Sequence, residues 1–309
     1  LDFYHAVLES LFFETLNQPL ADRQPRFQTG DWAAIPFLNG GLFEPHVHDF
    51  YDGSCTLNTL VVPNEWLTEL LKCFERYHFT IEENTPIEVQ VAIDPEMLGQ
   101  IFENLLAEIN PETGETARKA TGSYYTPREI VDYMVTESLK YFLHGQTQLS
   151  LEKLESLLSY QTGDVTLSVE EKQALLQALE RLKILDPACG SGAFLMGILQ
   201  KVRLLLQRVD PDGSQWLTNL LDHIPDRTAR QLMQKKLQGE KALWDYTRKL
   251  GILRECIYGV DIQPIAVEIS RLRCFLALLV EENITDTEEN RGILPLPNLA
   301  FKLVCANTL

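Results

Sequence analysis

Cationic side chains are scarce in this chain. Lysine and arginine number 27 against 44 aspartates and glutamates, a formal net charge of −17. Duplex DNA is gripped largely by cations that neutralise its phosphates, so a protein that does no more than coat duplex DNA is excluded. Arg118, Lys119 and Arg128 form the best local basic group, and a solvated loop is the simpler reading of it. The six cysteines stand far apart with no Cys-x-x-Cys pair, which excludes a zinc ribbon and a disulfide framework. Reduced thiols and a cytoplasmic protein are expected. No apolar run reaches the length of a membrane span, and no secretory segment opens the chain. A Gly-Lys-Ser/Thr phosphate loop is absent, as are a Pro-Pro pair, internal repeats and low-complexity tracts.

What is present is globular material. With 309 residues, 45% hydrophobic and 23% charged, the chain has enough for two ordinary domains. Residues 1–110 read as mostly helical. Phe3, Val7, Leu11 and Phe12 follow helical spacing. Asn64 is placed to cap a helix carrying Trp66, Leu67, Leu70, Leu71 and Phe74, and Asp94-Pro95 opens another with Leu98, Ile101, Phe102 and Leu105. These aromatic stripes read as core. His46-Val47-His48-Asp49, near Glu44 and Asp52, has metal-ligand letters, but Pro45 and Gly53 frame it as a loop, and no metal site is assigned. Glu170-Glu171-Lys172 after Asp164 has the letters of a nuclease, yet Ser168-x-x-Glu171 is a capping box.

The most informative stretch is Ile184-Leu185-Asp186-Pro187-Ala188-Cys189-Gly190-Ser191-Gly192-Ala193-Phe194. A strand ends in a carboxylate, a glycine turn follows, and a helix runs from Ala193 to Val209. That order builds a ligand pocket at the carboxyl end of a parallel strand. The nicotinamide fingerprint needs a third glycine where Leu195 stands, and an acid before the glycines would repel a pyrophosphate. A ligand with an ammonium group suits it better. Ile257-Tyr258-Gly259-Val260-Asp261-Ile262 repeats the strand-then-acid order before a helix opened by Pro264. An acid here can accept ribose hydroxyls or simply cap the helix. It follows Asp186 by 75 residues, against about 20 in the usual arrangement, so helices are inserted between. A third strand is expected over Phe301–Cys305, followed by Asn307, whose amide can read a base edge. Thr126-Pro127-Arg128-Glu129 reads as a capping box for a helix over 127–142 with Ile130, Val131, Met134, Leu139 and Phe142 on its core face.

These stretches together resemble the adenine-specific DNA methyltransferases, in particular the large single-chain restriction–modification enzymes and related phage-defence methyltransferases. Asp186–Gly192 is similar to their cofactor motif. Gly122-Ser123-Tyr124-Tyr125-Thr126-Pro127 is similar to the element before it, Gly259–Ile262 to the ribose-binding acidic motif, and Ala306-Asn307-Thr308-Leu309 to the adenine-contacting segment, with Ala306 and Thr308 departing from the usual glycine and serine. Leu38–Phe43 and Leu98–Glu103 resemble the helical region that precedes the methyltransferase. The resemblance implies S-adenosylmethionine as cofactor. Asp186 would hold the methionine amino group, and Thr126, with Tyr124 beside it, the carboxylate. Ala188, Cys189, Gly190, Gly192 and Phe194 would line the turn, Asp261 would take the ribose, Ile262 the adenine face and Asn307 the adenine edge.

The family's catalytic Asn/Asp-Pro-Pro-aromatic motif has no counterpart here, so no catalytic residue is assigned. The fold class expected is a mainly α N-terminal region followed by the first half of an α/β Rossmann-like methyltransferase domain with an incomplete sheet. A helical connector would occupy 1–120, and the cofactor-binding half, with helical insertions, 121–309. The chain reads as a middle piece of a longer, site-specific DNA adenine-N6 methyltransferase that flips its target base from double-stranded DNA, with most DNA contacts outside the piece. The competing expectations are a non-catalytic helical scaffold coupling nuclease and recognition domains, and a nicotinamide dehydrogenase, which Leu195 opposes.

Overall fold

The computed structural model describes residues 2–38, 41–45, 50–54, 56–76, 78–79, 92–93, 101, 126–161, 165–222, 243–279, 289–293 and 296–308. The chain divides into two compact units, residues 1–94 with 282–300, and residues 95–281 with 301–309.

In the first unit the helical spacing near the start gives helix of the wider π kind, over Tyr4–Leu8 and Ser10–Leu16. The Thr15 hydroxyl donates to the carbonyls of Leu11 and Ser10, four and five residues back, a side-chain pairing that competes with regular α turns. Three 3₁₀ turns follow over Leu20–Asp22, Pro25–Phe27 and Gly30–Ala34. Arg23, buried among them, donates to the carbonyls of Thr15, Gln18, Trp32 and Ile35 at 2.8–3.0 Å. Helix α1 (Asn64–Phe74) forms as expected, but Pro63 occupies the cap position, and the Asn64 side-chain oxygen accepts from the Phe3 amide at 2.9 Å instead. Its apolar stripe is not core, because Trp66, Leu70, Leu71 and Phe74 are all exposed. A two-residue parallel pair, β1 (His78–Phe79) with β2 (Ala92–Ile93), stands in a region read as helical. His46–Asp49 and, apart from Ile101, the helix expected from Asp94 lie outside the described residues.

The second unit carries the sheet. Helices α2 (Arg128–Thr147), α3 (Leu151–Leu158) and α4 (Val169–Glu180) precede β3 (Ile184–Asp186) and α5 (Ala193–Val209). Helices α6 (Ser214–Asp222) and α7 (Leu243–Glu255) lead to β4 (Ile257–Asp261), followed by α8 (Pro264–Leu279) and β5 (Leu303–Cys305). The strands are parallel in the order β3-β4-β5, with Ile184 opposite Ile257 and Gly259 opposite Leu303. The described chain is therefore mostly helical around a small three-stranded parallel sheet, the coarse form of the expected fold. No described helix is long and apolar enough to cross a membrane.

Local chemistry explains several elements. Ser168 and Glu171 form the reciprocal cap at the start of α4, and Glu171 also pairs with Lys153 of α3 at 2.6 Å, so the nuclease-like letters are a helix start. Helix α3 ends in carbonyls without helical partners. Arg208 of α5 donates to the carbonyls of Ser156, Leu157 and Ser159, and buried Lys201 donates to that of Leu158. Lys201 also meets Asp132 of α2 at 2.9 Å.

Two readings of α2 are corrected. The buried stripe is Val131, Val135, Leu139 and Leu143, while Ile130 and Met134 are about half exposed. Helix α2 has apolar residues on two sides, and the close approach to Gly197 of α5 selects between them. A Cβ at 197 would lie 2.7 Å from Val131 Cγ1 and 3.4 Å from Val135 Cγ2. Gly197→Ala should therefore destabilise the protein by about 1–3 kcal/mol; an unchanged thermal midpoint would show that α2 and α5 do not touch so closely. The Thr126 cap is also not formed. Pro127, at ψ 144°, is itself the cap residue, the helix starts at Arg128, and no side chain caps it.

Candidate cofactor site at the carboxyl end of the sheet

Side chains alternate across a strand, and Asp186 lies opposite Gly259 in the register. Asp186 and Asp261 therefore belong to the same side of the sheet as Gly259. That side faces α5, since a Cβ on Gly259 would meet Leu195 Cδ1 at 2.9 Å, Leu303 Cδ2 at 3.0 Å and Cys189 Sγ at 3.1 Å. Leu185 and Val304, on the other side, are 61% and 37% exposed.

Almost every backbone group of the turn between β3 and α5 is tied down. The amide of Ala188 donates to Asp186 Oδ1 at 3.1 Å, that of Cys189 to the Val260 carbonyl at 2.9 Å, and that of Gly190 to Asp261 Oδ2 at 2.8 Å. The Gly190 carbonyl accepts from Ser270 Oγ at 2.8 Å, and the Ser191 carbonyl from Arg273 Nη1 at 2.9 Å. Gly190 and Gly192 adopt φ of +53° and +87°, values open to glycine at little cost. The segment after β5 closes the same end. The Ala306 amide donates to the Asp261 carbonyl at 2.9 Å, and Thr308 Oγ1 to the Pro187 carbonyl at 3.0 Å.

The electrostatics single out one atom. Asp186 Oδ2 is buried and, among the described residues, accepts no hydrogen bond. Burial first, and the charge of nearby Asp261 second, push the Asp186 carboxyl above its ordinary range, against the pull of the Ala188 amide. A buried acceptor without a donor costs stability, and a cationic donor is the group that would relieve both the desolvation and the repulsion. Asp261 is committed differently, with Oδ2 on Gly190 and Oδ1 accepting from the Gln263 amide at 2.8 Å. Both the helix-start role and a free lone pair on each oxygen are compatible with that geometry. Burial pushes the Cys189 thiol up to about 12, so it is an inert packing group.

Of the residues chosen from sequence, Asp186, Ala188, Cys189, Gly190, Gly192, Asp261, Ile262 and Asn307 gather at this end of the sheet. Ile262 is 57% exposed just past the β4 tip, and Asn307 is exposed beside it. Phe194, half-buried, lies in the first turn of α5. Thr126 precedes α2, whose Val131 packs at Gly197 in the second turn of α5; no described bond joins Thr126 to the glycine turn. Tyr124 lies outside the described residues. Ser270 and Arg273 were missed. Their signal was polar residues three apart inside the apolar helix α8.

Residues 163–309 match the model of the MmeI DNA-methyltransferase domain family. This stretch is similar to the methyltransferase domain of that family. A Methanocaldococcus jannaschii protein named as a type II restriction enzyme and methyltransferase is 30% identical over 319 aligned positions, which take in all of this chain and 24% of that protein. The chain thus spans about a quarter of that relative's length. The family match covers β3, the glycine turn, β4 and β5 together, so the residues gathered at the sheet end all fall within the matched stretch.

Proposed function

We propose that this chain is the S-adenosylmethionine-binding part of a site-specific DNA adenine-N6 methyltransferase in a restriction–modification system. The observation that carries the reading is the pair of strand-tip carboxylates on one side of the sheet, one of them with a buried oxygen awaiting a donor. In this reading the Asp186 carboxylate holds the methionine ammonium, and Asp261 holds the ribose hydroxyls with its remaining lone pairs while keeping Gly190 in place. Ile262 offers an exposed apolar surface to the adenine face, and Asn307 a donor and an acceptor to its edge. Thr126, with Tyr124 before it, stands at the start of α2 for the carboxylate. Bound S-adenosylmethionine supplies a methyl group made electrophilic by its sulfonium. The work of this chain's residues is placement and electrostatics. The net charge of −17 assigns most phosphate contacts to other parts of the protein.

Calorimetric titration of the protein in its full native length with S-adenosylmethionine tests the first half. Binding is expected at one site, with about a tenfold or greater loss in Asp261→Ala and no competition from a nicotinamide cofactor. Retained affinity in a folded Asp261→Ala protein would remove Asp261 from the site. Transfer of labelled methyl to duplex DNA tests the second half: the label should be recovered as N6-methyladenine, and recovery on cytosine would overturn the adenine assignment.

A further inference from the structure

The glycine turn is held from behind by helix α8, and two side chains three residues apart do the holding. Ser270, 1% exposed, donates to the Gly190 carbonyl at 2.8 Å. It also sits where a Cβ on Gly192 would fall, 2.8 Å from its Oγ and 3.2 Å from its Cβ. Arg273, 3% exposed, donates to the Ser191 carbonyl at 2.9 Å. Residues three apart share a helix face, so one turn of α8 grips two successive carbonyls of the turn.

Each grip fixes a peptide plane. A carbonyl pointed at α8 turns the amide of the next residue to the opposite side. The Gly190 carbonyl fixes the peptide that carries the Ser191 amide, and the Ser191 carbonyl the peptide that carries the Gly192 amide, which closes back on the Cys189 carbonyl at 2.9 Å. The Gly190 amide is held separately by Asp261. Resting on the cofactor reading above, we infer that Ser270 and Arg273 are positioning residues for S-adenosylmethionine. They touch no ligand; they set the backbone of residues 190–192 so that the space beside Asp186 keeps its shape. Burying a guanidinium carries a desolvation cost, and here one of its donors is spent on the turn. Together the two anchors hold two successive peptides of the turn, one each.

The test uses the protein in its full native length and the variants Ser270→Ala and Arg273→Lys. Ser270→Ala removes one hydroxyl without adding volume, and so keeps the readout interpretable if the arginine variant folds poorly. Ser270→Ala should weaken S-adenosylmethionine about five- to tenfold by calorimetry. It should also speed amide hydrogen exchange at residues 188–192 while exchange within α5 and α8 stays as in the wild type. Arg273→Lys, which keeps a cationic donor on a different stem, should fall between the wild type and Ser270→Ala. Failure of the wild-type protein to bind S-adenosylmethionine rejects the cofactor reading and this inference with it. Wild-type binding with unchanged affinity in a folded Ser270→Ala protein, or exchange raised equally throughout the unit, rejects the positioning role alone.

Discussion

Asp186→Asn should make the ligand-free protein more stable and greatly weaken its cofactor binding. The two effects have one cause. In the folded chain Oδ2 of Asp186 is buried without a partner among the described residues, and burial together with Asp261 raises its carboxyl pKa. Unfolded, the same group titrates near its ordinary value of about 3.9. Between the two values the folded state binds more protons than the unfolded state, so stability falls as pH rises. The penalty is absent below the unfolded pKa, grows as pH climbs through the raised folded pKa, and is constant above it. An amide carries no charge and escapes it. The stability gap between Asp186→Asn and wild type should therefore open from about pH 4 upward and then level. Asp245, Glu170, Glu171 and Asp212, whose carboxyls are held below their ordinary range, contribute the opposite slope to both proteins and cancel in the difference.

Binding should move the other way. A methionine ammonium favours the ionised carboxylate, so wild-type affinity should rise with pH through the Asp186 titration and proton release should accompany binding. Loss of one partner of a buried charge pair costs about 2–3 kcal/mol or more, roughly 30- to 150-fold in affinity. Thermal unfolding across pH 4–8 and calorimetry in two buffers of different ionisation enthalpy give all these quantities. A stability gap that does not change with pH would mean that Asp186 is not raised. An unchanged affinity would mean that its free oxygen faces something other than the cofactor.

What could be read from sequence follows a simple division. Helix α5 was legible to the residue, and strands β3 and β4 at their acidic ends, because each is bounded by its own chemistry. Asp186 ends β3, Gly192 opens α5, and Asp210-Pro211 closes it. The Ser168 cap was legible for the same reason. Features that depend on distant partners were not. The apolar residues of α2 fit two faces equally well until Gly197 admits Val131 and Val135. The stripe on α1 has the spacing of a core helix, yet Trp66 is 67% exposed. At Thr126 the local pattern itself misled, since proline is tolerated both at the first helical position and just before it, and only the observed ψ of Pro127 separates them. Within the site, the acids and glycines carry their chemistry in their letters. The anchors do not: Ser270 and Arg273 are 80 and 82 residues from the carbonyls they hold, and nothing local marks them except polarity on an apolar helix.

The glycines of the turn separate a packing role from a binding role most sharply at Gly192. Gly192→Ala should be the most damaging single-methyl change in the sheet unit's ligand end. Its φ of +87° is outside the range an L-residue adopts comfortably, a cost of about 1–2 kcal/mol. The new methyl would also come within 2.8 Å of Ser270 Oγ and 3.2 Å of Ser270 Cβ. Ser270 cannot swing aside without releasing the Gly190 carbonyl. Overpacking of this kind adds about 1–3 kcal/mol, so a loss of roughly 2–5 kcal/mol in unfolding free energy is expected. The double variant Gly192→Ala with Ser270→Gly makes room for the methyl and leaves the backbone strain. It should recover only part of the overpacking share, since a glycine inside α8 itself costs about 0.5–1 kcal/mol, and none of the cofactor affinity, because the turn has then lost its anchor. If the double variant binds S-adenosylmethionine as the wild type does, the turn does not need α8 behind it. If Gly192→Ala alone unfolds at the wild-type midpoint, the place a methyl would take at 192 is not as close as 2.8 Å to Ser270 Oγ.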